Sequence, residues 1–272
     1  MFSGSVETGF LGKTSQKQSW WVRNPVSSPD QNWGENLLNA VATAGIRHLF
    51  SKCEALEVAI ALPPHTWSGS QGRIDGLRVS GKGLEIQRRF PVAEMSFSTD
   101  AVAIDYMALL GGKIKLAQPT QAVAQVVLTE EGINRAFQAD LVTKKLSSST
   151  IPLTFSEVEV QLQPQNQLRI FAKAKWSNGE TVPVCLNTTI SIEQRRRLQF
   201  SHPQFEAELI PEPLRERSQT ASMALVEVLN GMVDLDKFNL DGITMRLNRL
   251  ETQGKQLLFS GYAQINHFPG QG

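Results

Sequence analysis

The chain has 272 residues, 41% of them hydrophobic and 19% charged, with a formal net charge of +1. That length is enough for a large core without disulfide or metal staples, and a charge so close to zero argues against bulk electrostatic binding of nucleic acid. The charged fraction lies below the roughly 25% usual in soluble domains, which predicts many alternating, half-buried surfaces.

Residues 1–27 are polar, Ser- and Gly-rich and without period, and are expected to form a flexible tail. They lack the basic start and apolar run of a secretory signal, and no window in the chain approaches the ~18 apolar residues of a membrane span. The expectation is a cytosolic protein, or one lying on the cytosolic face of a membrane. Ser28 and Pro29 then suit a helix start, with Gln31 as capping partner. Trp33, Leu37, Val41 and Ala44 follow at helical spacing, beside a second stripe of Leu38, Ala42, Ile46 and Phe50, and the helix is expected to end near Lys52. Leu56, Val58, Ile60 and Leu62 switch to a period of two, stopped by Pro63 and Pro64. Further strands are predicted around Leu77 and Val79, Leu84 and Ile86, Met95 and Phe97, and Val102 to Tyr106. Gly81, Gly83, Gly111 and Gly112 stand between them as turns or bulges. A helix is predicted in "LTEEGINRAFQADLV", capped by Thr129 and favoured by Glu130 and Glu131 at its positive end, though weakened by Gly132.

The second half alternates more cleanly. Val158, Val160 and Leu162 lead through a turn to Leu168, Ile170, Ala172 and Ala174, and Asn178-Gly179 marks a hairpin. Val182, Val184, Leu186, Ile190 and Ile192 share one face with only Thr188 intervening, which predicts an antiparallel sheet with a continuous apolar side. A helix is predicted from about Leu214 to Val233, then strands through Ile243, Met245 and Leu247 and through Leu257, Phe259, Ala263 and Ile265. Both ends of the chain thus read helix, turn, strand pair, a faint pseudo-repeat of residues 33–86 and 214–266 within one domain over residues 28–268. The predicted class is α+β: a long curved antiparallel β-sheet partly wrapped around two or three amphipathic helices.

Reactive side chains form no recognisable cluster. His48, His65, His202 and His267 are scattered, and no zinc, nucleophile-elbow or phosphate-loop motif occurs. No catalytic residue, metal or cofactor is therefore expected. Cys53 and Cys185 each lie in an apolar run and read as free thiols in a reducing compartment. Asp234 and Asp236 fall where a helix hands over to a strand, so Asx-type turn bonding accounts for them without catalysis. Arg88-Arg89 and Arg195-Arg196-Arg197 are placed at sheet rims, either as solvated turn charge or as contacts to anionic lipid head groups worth ~1 kcal/mol each. Trp20-Trp21 reads either as an interfacial anchor or as a pair that packs back on the domain. A free sheet edge would favour a homo-oligomer.

The closing run "LVEVLNGMVDLDKFNLDGITMRLNRLETQGKQLLFSGYAQI", with "GRIDGLRVSGKGLEI" and "VVLTEEGINRAF" before it, resembles the LmeA-like phospholipid-binding family over about residues 34 to 268. The resemblance implies a sheet wrapped around helices, similar to tubular lipid-binding proteins, with an apolar interior that accepts the acyl chains of a phospholipid or other lipid. It supplies no catalytic residue. The exported members carry a signal peptide that has no counterpart here, which keeps the expectation cytoplasmic. On this reading the lining comprises Leu37, Val41, Ile46 and Phe50 of the first helix and Leu225, Leu229 and Met232 of the last. Ile170, Val184, Leu186, Ile190 and Phe259 of the strands would face them. The same residues would form a plain core if the helices filled the sheet. The rival readings are a scaffold docked on a membrane surface and a lipid-acting hydrolase or transferase using Asp234, Asp236 or a histidine.

Overall fold

The alternating stretches become strands in the structure, a computed structural model. It describes residues 50–61, 73–86, 90–103, 115–139, 153–232, 234–237 and 242–267, and isolated positions within 39–47, 142–146 and at 88, 105 and 108. The strands are β1 (Lys52–Ala61), β2 (Arg73–Ile74), β3 (Gly76–Ile86), β4 (Phe90–Thr99), β5 (Val102–Ala103) and β6 (Thr120–Thr129). After them come β7 (Leu153–Gln163), β8 (Gln167–Trp176), β9 (Thr181–Glu193), β10 (Arg197–Phe205), β11 (Ile243–Gln253) and β12 (Gln256–Ile265). Helix α1 (Glu130–Phe137) follows β6 directly, and α2 (Arg215–Met232) lies between β10 and β11. The fold is α+β and dominated by antiparallel sheet, as the patterning predicts. The strands divide between a six-stranded sheet of order β1-β3-β4-β6-β12-β11 and a four-stranded sheet of order β10-β9-β8-β7, with β2 and β5 paired separately.

Local chemistry explains several boundaries. Thr129 caps α1 as expected, its hydroxyl accepting the Gly132 N–H at 3.0 Å, and Glu131 bonds Arg135 one turn on at 2.7 Å. Gly132, a weak helix former, is buried against Pro91 of β4, where a side chain would crowd the contact. Gly81 and Gly83 do not separate two strands. Both lie within β3, and Gly83, at φ +56°, is skipped in the register with β1 and β4. Pro183 sits in an inner strand, but β10 ends before reaching it, and its carbonyl accepts the Ser218 hydroxyl of α2.

Each outermost strand of the two large sheets meets an asparagine amide. Asn39 accepts the Ile60 N–H of β1 at 2.8 Å. Asn134 of α1 accepts the Val160 N–H of β7 at 2.7 Å and donates to the Val160 carbonyl at 3.0 Å. Asn230 of α2 does the same for Phe200 of β10, at 2.7 and 3.1 Å. Asn166, in the β7–β8 turn, accepts the Thr252 N–H of β11 at 2.9 Å and donates to the Leu250 carbonyl at 3.2 Å. A primary amide carries the donor and acceptor of a peptide group, so these side chains pair with edge backbone that would otherwise be free to recruit another strand.

Two hairpin tips of the four-stranded sheet rest on β11. Besides Asn166, the β9–β10 turn contributes the Arg195 carbonyl, which accepts the Leu247 N–H at 2.6 Å. Between the sheets and α2 lies the largest buried cluster, with Ile170, Ala174, Val182, Leu186, Ala221 and Leu225 wholly enclosed. A second cluster joins Ile46 to Val58, Leu77 and Val79 at the β1–β3 end of the larger sheet, and a third gathers Ala122, Ala263 and Ile265.

Candidate functional site

Directly opposed residues on antiparallel strands share a face, so register alone assigns the two sides of the six-stranded sheet. One row reads Leu56, Gly81, Met95, Val126, Phe259, Leu250 from edge to edge, and the next Val58, Val79, Phe97, Ala124, Gly261, Leu247. Neither row contains a polar side chain. On the opposite side the corresponding row is Glu57, Ser80, Ser96, Gln125, Ser260, Arg249. One side is therefore apolar across six strands and the other is mixed, with polar residues in the majority.

The apolar side is not evenly closed. Leu250, Leu247 and Leu257 are buried in the largest cluster, and Val58 and Val79 in the second. Between these ends Met95, Phe97, Ala124, Val126 and Phe259 are only half-buried. Phe97 touches the second and third clusters and Phe259 the first, whereas Met95 and Val126, cross-strand partners at the centre, belong to none of the three. A strip of apolar surface thus runs between two packed ends. Small side chains lower its floor at Ala124 and Gly261. At Gly261 the reason is local, since an added Cβ would overlap the Arg246 carbonyl oxygen at the bulge in β11.

The residues expected to line an apolar interior fall into two groups. Ile170, Val184, Leu186, Ile190, Leu225 and Leu229 are buried together in the largest cluster, with Met232 and Phe259 partly buried against it. Ile46 lies in the second cluster, on the apolar side of the larger sheet, with Phe50 partly buried against it. Leu37 and Val41 are outside the described residues. Met95 and Val126 are additions made by the structure. Met95 alternates with Phe97, a pattern legible in the sequence, but the pairing that centres Val126 between Met95 and Phe259 is not.

The basic residues of the β9–β10 turn are engaged unequally. Arg197 pairs with Asp234 at 2.9 Å, and Arg196 and Arg246 share Asp236 at 2.6 and 2.8 Å. The Asp236 N–H donates to the Asp234 carboxylate at 3.1 Å, which is the Asx-type turn expected of this pair. Burial pushes the Asp234 carboxyl up, but the Arg197 bond, the Asp236 N–H and the two neighbouring guanidiniums outweigh it and hold the group below the ordinary carboxylate value. Asp236 is lowered chiefly by its Arg196 bond, working against burial, with Arg246 adding to it. Arg195 instead bonds the neutral Asn248 side chain at 2.5 Å. Arg88 is exposed, and its N–H donates to the Ser51 hydroxyl at 2.7 Å; Arg89, Trp20 and Trp21 are outside the described residues.

A second polar knot lies outside these rows. Glu206 accepts from Arg169, Asn187 and the Cys185 thiol, and Arg169 stacks 5.2 Å from the centre of the Phe171 ring. Burial first, then the carboxylate, pushes the Cys185 thiol up to about 11, so it is neutral and a poor nucleophile. Burial would raise Glu206 too, but its three donors together hold it below the ordinary value. Cys53 and Cys185 are both free. Among the described residues no three His, Cys, Asp or Glu side chains converge as metal ligands would, and no helix is long and apolar enough to cross a membrane.

Comparison with curated proteins and with solved structures returned no match. A family model does match, over residues 31–261, which takes in the four-stranded sheet, the larger sheet as far as Gly261 of β12, and the apolar strip between the packed ends. The chain belongs to the LmeA-like phospholipid-binding family.

Proposed function

We propose that the protein is a non-enzymatic phospholipid carrier that holds acyl chains along the apolar side of the six-stranded sheet. The chains would lie over Met95, Phe97, Val126 and Phe259, with the Ile46–Phe50 end and the α2 end as walls. The observation that carries this reading is the unbroken pair of apolar rows whose centre is half-buried while both ends are packed. Energetics favour such a strip over head-group contacts alone. Exposing a two-chain lipid of some 30 methylenes to water costs on the order of 20 kcal/mol at ~0.8 kcal/mol each. A few ion pairs do not offset that, so removing a lipid from a bilayer requires matching apolar surface. Asp234 and Asp236, the candidates for a hydrolytic role, are each bonded to arginine, an arrangement that serves turn geometry and needs no substrate.

The test is native mass spectrometry of the freshly purified protein, with lipid analysis of its organic extract and a loading assay from phospholipid vesicles. Wild type is expected to carry or take up phospholipid. Val126→Glu, which sets an unpaired carboxylate on the strip, and Val126→Trp, which fills it without charge, are expected to lose that lipid while unfolding at a similar urea concentration. Equal lipid in wild type and both variants would overturn the assignment of the strip, and a wild type that neither retains nor loads lipid would overturn the carrier reading.

A further inference from the structure

The mainly polar side of the six-stranded sheet carries a pocket of about 390 Å³ near the β11 edge. Five of its lining residues come from two adjacent cross-strand rows, Tyr262 with Arg246 and Gln121 with Gln264 and Thr244, and Arg195 reaches it from the β9–β10 turn. Among the described residues no carboxylate lines it. Asp236, bonded to a lining residue, is divided between Arg246 and Arg196, and among the described residues Arg195 has a neutral partner in Asn248. Two guanidiniums thus face a space bordered by hydroxyl and amide groups, with less negative charge than would neutralise them.

Backbone conformation adds an independent observation. Gln194 and Arg195 have φ of +47° and +60°, the two left-handed positions of a tight hairpin turn that asparagine and glycine fill most easily. Arginine is at a disadvantage there, and its backbone contribution, the carbonyl that accepts the Leu247 N–H, is one that glycine would supply equally. A residue placed against its local preference, with its side chain over a pocket and no acidic partner among the described residues, fits a role in holding a ligand. Tyr262 of the pocket and its cross-strand partner Val123 are 48% and 53% exposed.

We propose that this pocket binds the phosphodiester head group of an anionic membrane lipid through Arg195 and Arg246, with Tyr262 and Val123 set against the bilayer surface. Arginine forks suit phosphate oxygens, and an exposed aromatic beside them suits a lipid interface rather than a soluble phosphate. The inference concerns the opposite side of the sheet from the apolar strip and stands whether or not that strip holds acyl chains.

The test is co-sedimentation of the full chain with vesicles of phosphatidylcholine alone and of phosphatidylcholine with phosphatidylglycerol, at low and high salt. Wild type is expected to prefer the anionic vesicles and to release at high salt. Arg195→Gly relieves the left-handed position while removing the charge. It is expected to bind about fivefold more weakly, the equivalent of the ~1 kcal/mol one arginine contributes at an anionic surface, and to melt no lower than wild type. Its content of co-purified lipid should be unchanged, which separates this result from a failure of the carrier reading. Equal vesicle binding by Arg195→Gly, or indifference of wild type to vesicle charge, would overturn the proposal. Calorimetric binding of inorganic phosphate with no vesicle binding would assign the pocket to a soluble anion and overturn the membrane assignment.

Discussion

Asn230→Ala offers the sharpest test of how the four-stranded sheet is closed. The Asn230 amide makes two bonds to one residue of edge strand β10, accepting the Phe200 N–H at 2.7 Å and donating to the Phe200 carbonyl at 3.1 Å. Phe200 is buried beneath α2, so truncation leaves an N–H and a carbonyl with little access to water. An unsatisfied buried polar group costs about 1–3 kcal/mol, and with partial rehydration of this edge the pair should cost about 2–4 kcal/mol. At a urea slope of about 3 kcal/mol/M, the midpoint falls by about 1 M with the slope unchanged. Asn178→Ala is the control, since Asn178 accepts the Glu180 N–H at 3.0 Å in an exposed turn and its loss should cost no more than about 0.5 kcal/mol. Size-exclusion chromatography provides a second readout, because an uncapped β10 edge should associate at high concentration. If Asn230→Ala shifts the midpoint no more than Asn178→Ala and remains a single species, the asparagine does not close the edge in any energetic sense.

Acid should weaken the fold in a defined window. Glu206, Asp234 and Asp236 all have folded-state values below the ordinary carboxylate range, so the stability they contribute is complete above about pH 5 and is lost as the pH falls through the depressed values. Urea midpoints should be level from about pH 7 to 5 and then decline, and Asp236→Asn should flatten the decline. Two glycines should respond in opposite directions in the same assay. Gly261→Ala forces a Cβ onto the Arg246 carbonyl and should destabilise by about 1–3 kcal/mol. Gly231→Ala, in α2 with open space around it, should stabilise by about 0.5–1 kcal/mol.

Local signals carried most of the secondary structure. Alternation at Leu56, Val58 and Ile60, the Thr129 cap and the Asn178-Gly179 turn each report on neighbours a few residues away, and each became the element it predicted. Glycine was more ambiguous. Gly81 and Gly83 punctuate the alternation, yet they lie within one strand, and the register on both sides runs through them without a shift. The division into two sheets was not legible, since it depends on β6 pairing with β12 across the whole four-stranded meander. The asparagine contacts were hidden for the same reason. Nothing near Asn166 in sequence announces Thr252. The apolar strip was half legible: Met95, Phe97 and Phe259 show as alternating apolar positions, but their alignment with Val126 into one row exists only once register is set. The unusual backbone at Arg195 was equally invisible, because the triplet Arg195–Arg197 gives no sign of which arginine stands in the left-handed position.

The strand order has a consequence for the protein as it is made. β6 and β12 are neighbours in the larger sheet, but β7 to β10 and α2 are synthesised between them. On the ribosome the four-stranded meander should close by successive hairpins soon after it emerges, whereas β6 should wait with an open edge until the final hairpin arrives. Local pairing is fast and distant pairing slow, so the smaller sheet should form first and the larger one last, with β11 then docking onto turn tips already in place. The waiting interval is when the growing chain most resembles an aggregation template. Synonymous codons or chaperones that change the pace of synthesis between β6 and β12 should therefore affect the yield of folded protein more than changes of pace elsewhere.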